Sequence, residues 1–290
     1  MPPHFDLQSH STHSDGELAP GEVVRAAAAA GVELLALSDH DTVSGVSEAL
    51  AAGEESGLRV VAAVEISAID HAPASDRELH ILGYGIDHSG PALGARLAEF
   101  LADREQRTLR MAASLRELGF ELDDGELSTR RAAGQPIGRP HVAAAVLSAE
   151  ANAARLKEEE IADIGDVIRA YLIEGRPAYR LRETPTVEQA VAAIHEAGGV
   201  AIWAHPFWDI AEPEEVLDTV DRFVALGIDG VEAFYITHDE AQTRLLAQRC
   251  EALGLLSTGS ADFHGPGNAQ FNRFLAFDTY GLEPNLGPIA

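Results

Sequence analysis

The chain has 290 residues, with 21 Lys+Arg against 47 Asp+Glu and a formal net charge of −26. That length fits one large α/β domain or a domain carrying an insertion, and 46% hydrophobic residues exclude general disorder. The single Cys250 excludes an internal disulfide and a Cys-clustered zinc site.

The charge is unevenly placed. Residues 91–182 hold 14 basic and 15 acidic residues, a net of −1, while the rest of the chain carries −25. Such acidity disfavours gripping long nucleic acid, which needs a broad basic surface. A small anionic substrate remains compatible where metal ions invert the local field. The N-terminus shows no basic stretch followed by an apolar one, and no apolar run is long enough to span a bilayer. A cytoplasmic protein without membrane contact is the expectation.

In chain order, short apolar runs at 5–8, 34–37, 60–66 and 79–85 read as buried strands closed by polar or Gly residues. Helical patterns at 20–30 and 43–56 separate the first three. Residues 91–182 break the rhythm: a long helix over 94–118 and shorter ones near 140–149 and 160–174, with no strand. Alternation then resumes, with strands at 200–204, 230–234, 255–258 and 273–277 and helices at 187–197, 213–226 and 239–253. Pro20 and Pro213 sit early in their helices, where a missing N–H costs little. Gly31, Gly57, Gly198, Gly227 and Gly254 fall at C-terminal caps. Strand–helix alternation with this punctuation predicts a parallel sheet, open or closed as a barrel. The expected organisation is a barrel from 1–90 and 183–290, interrupted by a helical insertion domain at 91–182.

Chemically active residues gather where the strands end. Gln8 and His10 share one face of the first strand, because side chains alternate with period two, and Asp15 follows in the loop. His40, Glu65, His80, His205, Asp262 and His264 stand at or near later strand ends. In parallel βα architectures these ends converge on one rim, where ligands bind. Five imidazoles and three carboxylates packed together uncompensated would be costly. Two or three divalent cations solve the problem, with Glu65 shared between them. Nitrogen and oxygen donors without thiolate suit zinc, manganese or iron better than calcium.

Residues 6–16 (DLQSHSTHSDG), 37–42 (LSDHDT), 64–67 (VEIS), 80–83 (HILG), 204–206 (AHP) and 259–265 (GSADFHG) together resemble the motifs of the PHP family. This is the polymerase and histidinol phosphatase family of metal-dependent phosphoesterases. The resemblance implies a distorted TIM-like (β/α)7 barrel with a trinuclear site at its rim. Carried over by position, one metal takes position 8, His10, Glu65 and Asp262. A second takes Glu65, His80 and His205, and a third Asp15, His40 and His264. The chain departs at Gln8, where the family usually has His; an amide oxygen is a weaker zinc ligand, so occupancy by manganese or iron is the expectation there.

The insertion resembles a branch of small bacterial enzymes that hydrolyse nucleoside 3′,5′-bisphosphates, some acting as 5′→3′ exonucleases on short RNA. By that resemblance Arg139 and His141 form a phosphate clasp facing the metals, with the insertion covering the active site. Arg suits this because its planar fork binds phosphate bidentately. The implied activity is hydrolysis of a small-nucleotide phosphomonoester, most readily a nucleoside 3′,5′-bisphosphate, by a metal-bound hydroxide. Asp41 or His238 is the candidate acid for the leaving oxygen. The alternatives are a 5′→3′ exoribonuclease on short RNA, a histidinol phosphatase, and a non-catalytic metal-binding module.

Overall fold

The computed structural model describes residues 3–72, 76–181 and 183–290. It divides into two compact units: one runs through Leu97 and resumes at Pro185, and the other is Ala98–Thr184.

In the first unit the strands are β1 (Phe5–Asp6), β2 (Leu34–Leu37), β3 (Arg59–His71), β4 (Asp76–Tyr84), β5 (Val200–Trp203), β6 (Gly230–Tyr235) and β7 (Leu256–Ser260). They form one seven-stranded sheet in sequence order. Leu7 N–H donates to the Gly259 carbonyl at 3.2 Å, and Ser9 bridges Phe263 in parallel. These contacts bring the first strand against the last, giving the TIM-like barrel. The pairing is parallel except around β4, which runs antiparallel to both neighbours. A direct antiparallel β3–β4 pairing needs no crossover helix.

The barrel helices are α1 (Pro20–Ala29) and α2 (Val46–Ser56) on the first half. On the second are α8 (Val187–Glu196), the single turn α9 (Pro206–Asp209), α10 (Pro213–Ala225) and α11 (Glu240–Leu253). Each presents one apolar stripe: in α1, Val23, Val24 and Ala27 pack with Leu35, Leu37, Phe263 and Phe274. Thr186 caps α8 and Asp239 caps α11, accepting the N–H of Gln189 and Gln242, the third residue of each helix. Leu7, Leu35, Ile66, Ile81, Trp203 and Phe234 are fully buried. Each such side chain contributes about 1.5–3 kcal/mol relative to exposure.

Residues 273–277 are not a strand. Leu275 takes φ +56°, and its N–H leaves the ladder to donate to Asp6 Oδ2 at 2.8 Å. A left-handed residue in the middle of the run cannot continue a pleated strand.

In the second unit α3 (Pro91–Glu117, continuing from the first), α4 (Gly125–Ala132), α5 (Arg139–Ser148), α6 (Ala153–Glu158) and α7 (Ile164–Val167) surround a core of their own. Met111, Leu115, Phe120, Val142, Val146, Val167 and Leu172 form it. The Arg155 guanidinium stacks 3.8 Å from the Phe120 ring centre. The helix expected over 160–174 is shorter, with α7 passing into a π-turn at Ile168–Leu172.

Candidate metal centre

Three rim residues adopt left-handed backbone: Asp41 (φ +54°), His205 (φ +31°) and Asp262 (φ +53°). Non-glycine residues pay for that conformation, and it persists where neighbours over-determine it. Asp41 N–H donates to the Glu65 carbonyl at 2.8 Å, and Asp41 Oδ1 accepts from Ser67 N–H at 3.0 Å. His205 N–H donates to Glu232 Oε2 at 2.9 Å. Beside Asp262, Ala261 N–H donates to Asp6 Oδ1 at 2.9 Å. The first loop is held by Asp39, which accepts from Ser11 N–H (2.7 Å), Ser11 Oγ (2.6 Å) and Ser14 Oγ (2.5 Å). Gly16 is required in that loop, since a Cβ there would meet the His10 carbonyl oxygen at 2.3 Å.

These anchors bring all eight expected donors together. His10 Nε2 lies 3.0 Å from Glu65 Oε2 and 3.1 Å from Asp262 Oδ1. His80 Nδ1 is 2.6 Å and His205 Nε2 3.3 Å from Glu65 Oε1. Asp15 sits 3.7 Å from His40 Nε2 and 3.5 Å from His264 Nε2. The rings of His10 and His264 stack at 4.3 Å, and those of His10 and His40 lie 4.6 Å apart. Three donor sets each lie within 4.8 Å: His10, Asp15, His40 and His264; His40, Glu65 and His80; and His10, Glu65 and Asp262. Glu65 belongs to two of them, and its side chain is fully buried.

The electrostatics of this cluster fit bound cations. Burial pushes the Glu65 carboxyl upward, but the surrounding His40, His80, His10 and His205 outweigh it and hold it well below its usual range. Burial works against charge on His205, yet Glu65 and Asp209 raise it to about 9. His10 is likewise raised by Asp262 and Glu65 against its burial. Without another cation, the carboxylates thus favour the protonated rings of His10 and His205. His10 Nε2 and Asp262 Oδ1 remain buried without an aligned hydrogen bond despite their 3.1 Å approach. Converging donors that fail to satisfy one another suit a metal between them, and N/O donors without thiolate suit zinc, manganese or iron.

Gln8 stands behind the cluster with both ends of its amide engaged. Its Nε2 donates to Glu65 Oε2 at 2.9 Å, and its Oε1 accepts from Ser260 Oγ at 3.2 Å. Ser260 Oγ is also 2.6 Å from Glu232 Oε1. A hydroxyl has one proton to give. Burial raises the Glu232 carboxyl to about 8, so at neutral pH it can donate to Ser260, which donates to Gln8, which donates to Glu65. A buried arc therefore runs from the main chain of His205 to the carboxylate of Glu65. Tyr235 adds a further support, its hydroxyl donating to Asp262 Oδ2 at 2.8 Å.

The remaining expected residues are placed as follows. Burial drives His238 down to about 4, with Nδ1 3.2 Å from the Ala233 carbonyl. It is a neutral imidazole at pH 7. Asp41 spends one carboxyl oxygen on Ser67 N–H, as above. Arg139 opens α5, half-buried. His141 is buried, its Nδ1 accepting from Gly138 N–H at 3.2 Å. Sequence reasoning assigned no role to Asp6, Asp39, Glu232, Tyr235 or Ser260. The available signal was a charged residue inside an otherwise apolar strand, as with Glu232 in GVEAF.

Among known proteins, the PHP domain matches residues 6–121. A 3′,5′-nucleoside bisphosphate phosphatase from Chromobacterium violaceum is 34% identical over 271 residues, covering 91% of this chain and 88% of that protein. A 5′-3′ exoribonuclease from Haemophilus influenzae is 32% identical over 267 residues, 92% of each chain. Among solved structures, an amidohydrolase from Chromobacterium violaceum with bound sulfate and no metal superposes with a TM-score of 0.80 at 32% identity, covering 99% of this chain and 93% of that one. With its barrel and rim cluster, the chain belongs to the PHP family of metal-dependent phosphoesterases and is a hydrolase.

Proposed function

We propose that the rim cluster holds two or three divalent ions, zinc, manganese or iron, and hydrolyses a phosphomonoester of a small nucleotide, foremost a nucleoside 3′,5′-bisphosphate. The observation that carries this reading is the approach of both Glu65 and Asp262 to His10 within 3.1 Å, with His40, His80, His205, Asp15 and His264 around them. His10, Glu65 and Asp262 would hold one ion, and Asp15, His40 and His264 another. Glu65 with His80 and His205 would hold a third. Bound there, such ions supply Lewis acidity, lowering the pKa of a coordinated water and neutralising phosphate oxygens.

The chain's own residues do the rest. Glu65, shared between donor sets, fixes their spacing. Gln8 acts as a strut on Glu65 rather than as a ligand, because its amide oxygen is turned to Ser260. Tyr235 and Asp6 hold Asp262 from its carboxylate and from its backbone side. Arg139 and His141 would grip the second phosphate of a bisphosphate, the kind of substrate for which the Chromobacterium relative is named. Of the two groups considered for protonating the leaving oxygen, His238 is disfavoured by its neutrality at pH 7. The Haemophilus relative supports a second reading, 5′→3′ trimming of short RNA at the same centre.

Phosphate release from four substrates separates these readings: adenosine 3′,5′-bisphosphate, adenosine monophosphates, histidinol phosphate and a short 5′-phosphorylated RNA. The bisphosphate should give the highest kcat/KM. Preferential conversion of the RNA to mononucleotides would replace this assignment with the exonuclease one.

A further inference from the structure

Beside the cluster stands an aromatic pair that the hydrolytic centre does not use. Trp208, in α9, is 53% exposed, the most open of the large hydrophobic side chains among the described residues and the aromatic one in that group. Its ring meets Phe271 edge-on at 5.6 Å. Phe271 in turn lies 5.5 Å from the His264 ring. A tryptophan ring offers a large, rigid aromatic face, and bases stack on such faces.

Both aromatics are bolted to the rim by main-chain hydrogen bonds. Trp208 N–H donates to the His205 carbonyl at 2.8 Å, and the Phe271 carbonyl accepts from His264 N–H at 2.9 Å. Asn268 Oδ1 accepts the Phe271 and Gln270 N–H groups at 2.9 and 3.0 Å, fixing the turn that presents Phe271. Each aromatic is therefore positioned by a histidine of the centre. Two ring-to-ring steps lead from His264 outward to the open surface of Trp208.

We infer that Trp208 and Phe271 form a stacking platform for the nucleobase of the substrate, holding the base while its phosphate meets the cluster. The inference rests on the nucleotide reading above and extends it to the base. Stacking is sequence-tolerant because every base has a π-face, so the platform selects nucleotides over base-free phosphates without selecting one base.

The test compares adenosine 3′,5′-bisphosphate with 1-deoxyribose 3,5-bisphosphate, which keeps the phosphates and lacks the base. Trp208→Ala should raise KM for the nucleotide about tenfold, equivalent to about 1.4 kcal/mol, with kcat little changed. KM for the base-free compound should not move, and Trp208→Phe should recover most of the nucleotide's KM. An equal change on both compounds, or none on either, overturns the platform while leaving the phosphatase reading intact. Failure of the wild type to hydrolyse either compound overturns the phosphatase reading instead. Tryptophan fluorescence reads the platform without turnover: Trp203 is fully buried, so quenching by adenosine 3′,5′-bisphosphate reports Trp208. Quenching that is absent, or that persists in Trp208→Phe, also overturns it.

Discussion

The barrel unit and the helical unit solve opposite problems with different material. In the barrel, polar residues are buried in quantity: Asp6, Gln8, His10, Asp39, Glu65, Glu232 and Ser260 are all at most 2% exposed. The helical unit has an apolar core of Met111, Leu115, Phe120 and their neighbours, and its buried polar residues among those described, such as Arg104, Arg107, His141 and Asn152, include no carboxylate. The charge follows the same division, with −25 outside residues 91–182 and −1 within them. A buried carboxylate is tolerable only when hydrogen-bonded, paired or bound to a cation. The lesson is that the barrel's acidity is partly ligand charge and partly support for ligands, whereas the helical unit combines apolar packing with buried donors such as Asn152 and Arg104 that bond main-chain groups.

This contrast can be broken most severely at Glu65. Glu65→Ala removes a donor from two of the three sets, and phosphatase activity should fall by about a thousandfold with loss of bound metal by elemental analysis. Retained metal at wild-type stoichiometry would show that Glu65 is not shared. Next in size is the supporting arc. Glu232→Leu should weaken metal affinity or activity by about 10–100-fold, as is usual for partners that orient ligands. Glu232→Gln should retain most of both, because an amide can still accept from His205 N–H and donate to Ser260. Equal damage by the two variants, measured by metal titration and steady-state kinetics, would mean that Glu232 acts through its charge.

Arg139→Ala should reduce the preference for bisphosphate over monophosphate by about tenfold, with a smaller effect on monophosphate turnover. On the other side of the comparison, Leu115→Ala should destabilise the helical unit by about 2–5 kcal/mol in denaturant unfolding while metal stoichiometry stays unchanged. The smallest effect is on protons. In the metal-free protein His205 stays charged until about pH 9, above its usual range, and this contributes stability that is lost as pH rises through that value. Metal uptake requires the neutral ring, so binding at pH 7 should release a proton from His205, and the release should fade as pH passes about 9. Calorimetry in buffers of different ionisation enthalpy checks this; uptake without proton release at pH 7 would contradict the assignment of His205.

Much of the barrel was legible in the sequence because apolar runs of strand length alternate with amphipathic helices, and the five longer ones are each followed by Gly. The rim was legible because His and Asp recur at strand ends in an order that resembles a known family. What escaped was set by tertiary contacts. The antiparallel course of β4 depends on its pairing with β3 and β5, which local pattern does not encode. The run 273–277 has the composition of a strand, but a carboxylate at the far end of the chain, Asp6, captures the Leu275 N–H. Asp39 and Glu232 carry no role in the sequence pattern, because their partners Ser11, Ser14, Ser260 and the His205 main chain come from distant segments.

Metal-dependent phosphoester hydrolysis at this rim is read out by phosphate release from adenosine 3′,5′-bisphosphate. Chelator-stripped wild type, the same protein reloaded with manganese, iron or zinc, and equally treated Asp262→Ala should be assayed together. Activity should disappear on stripping, return on reloading the wild type, and remain lost in Asp262→Ala. Equal rates for the stripped and reloaded wild type, or for wild type and Asp262→Ala, would contradict metal-dependent hydrolysis at this rim.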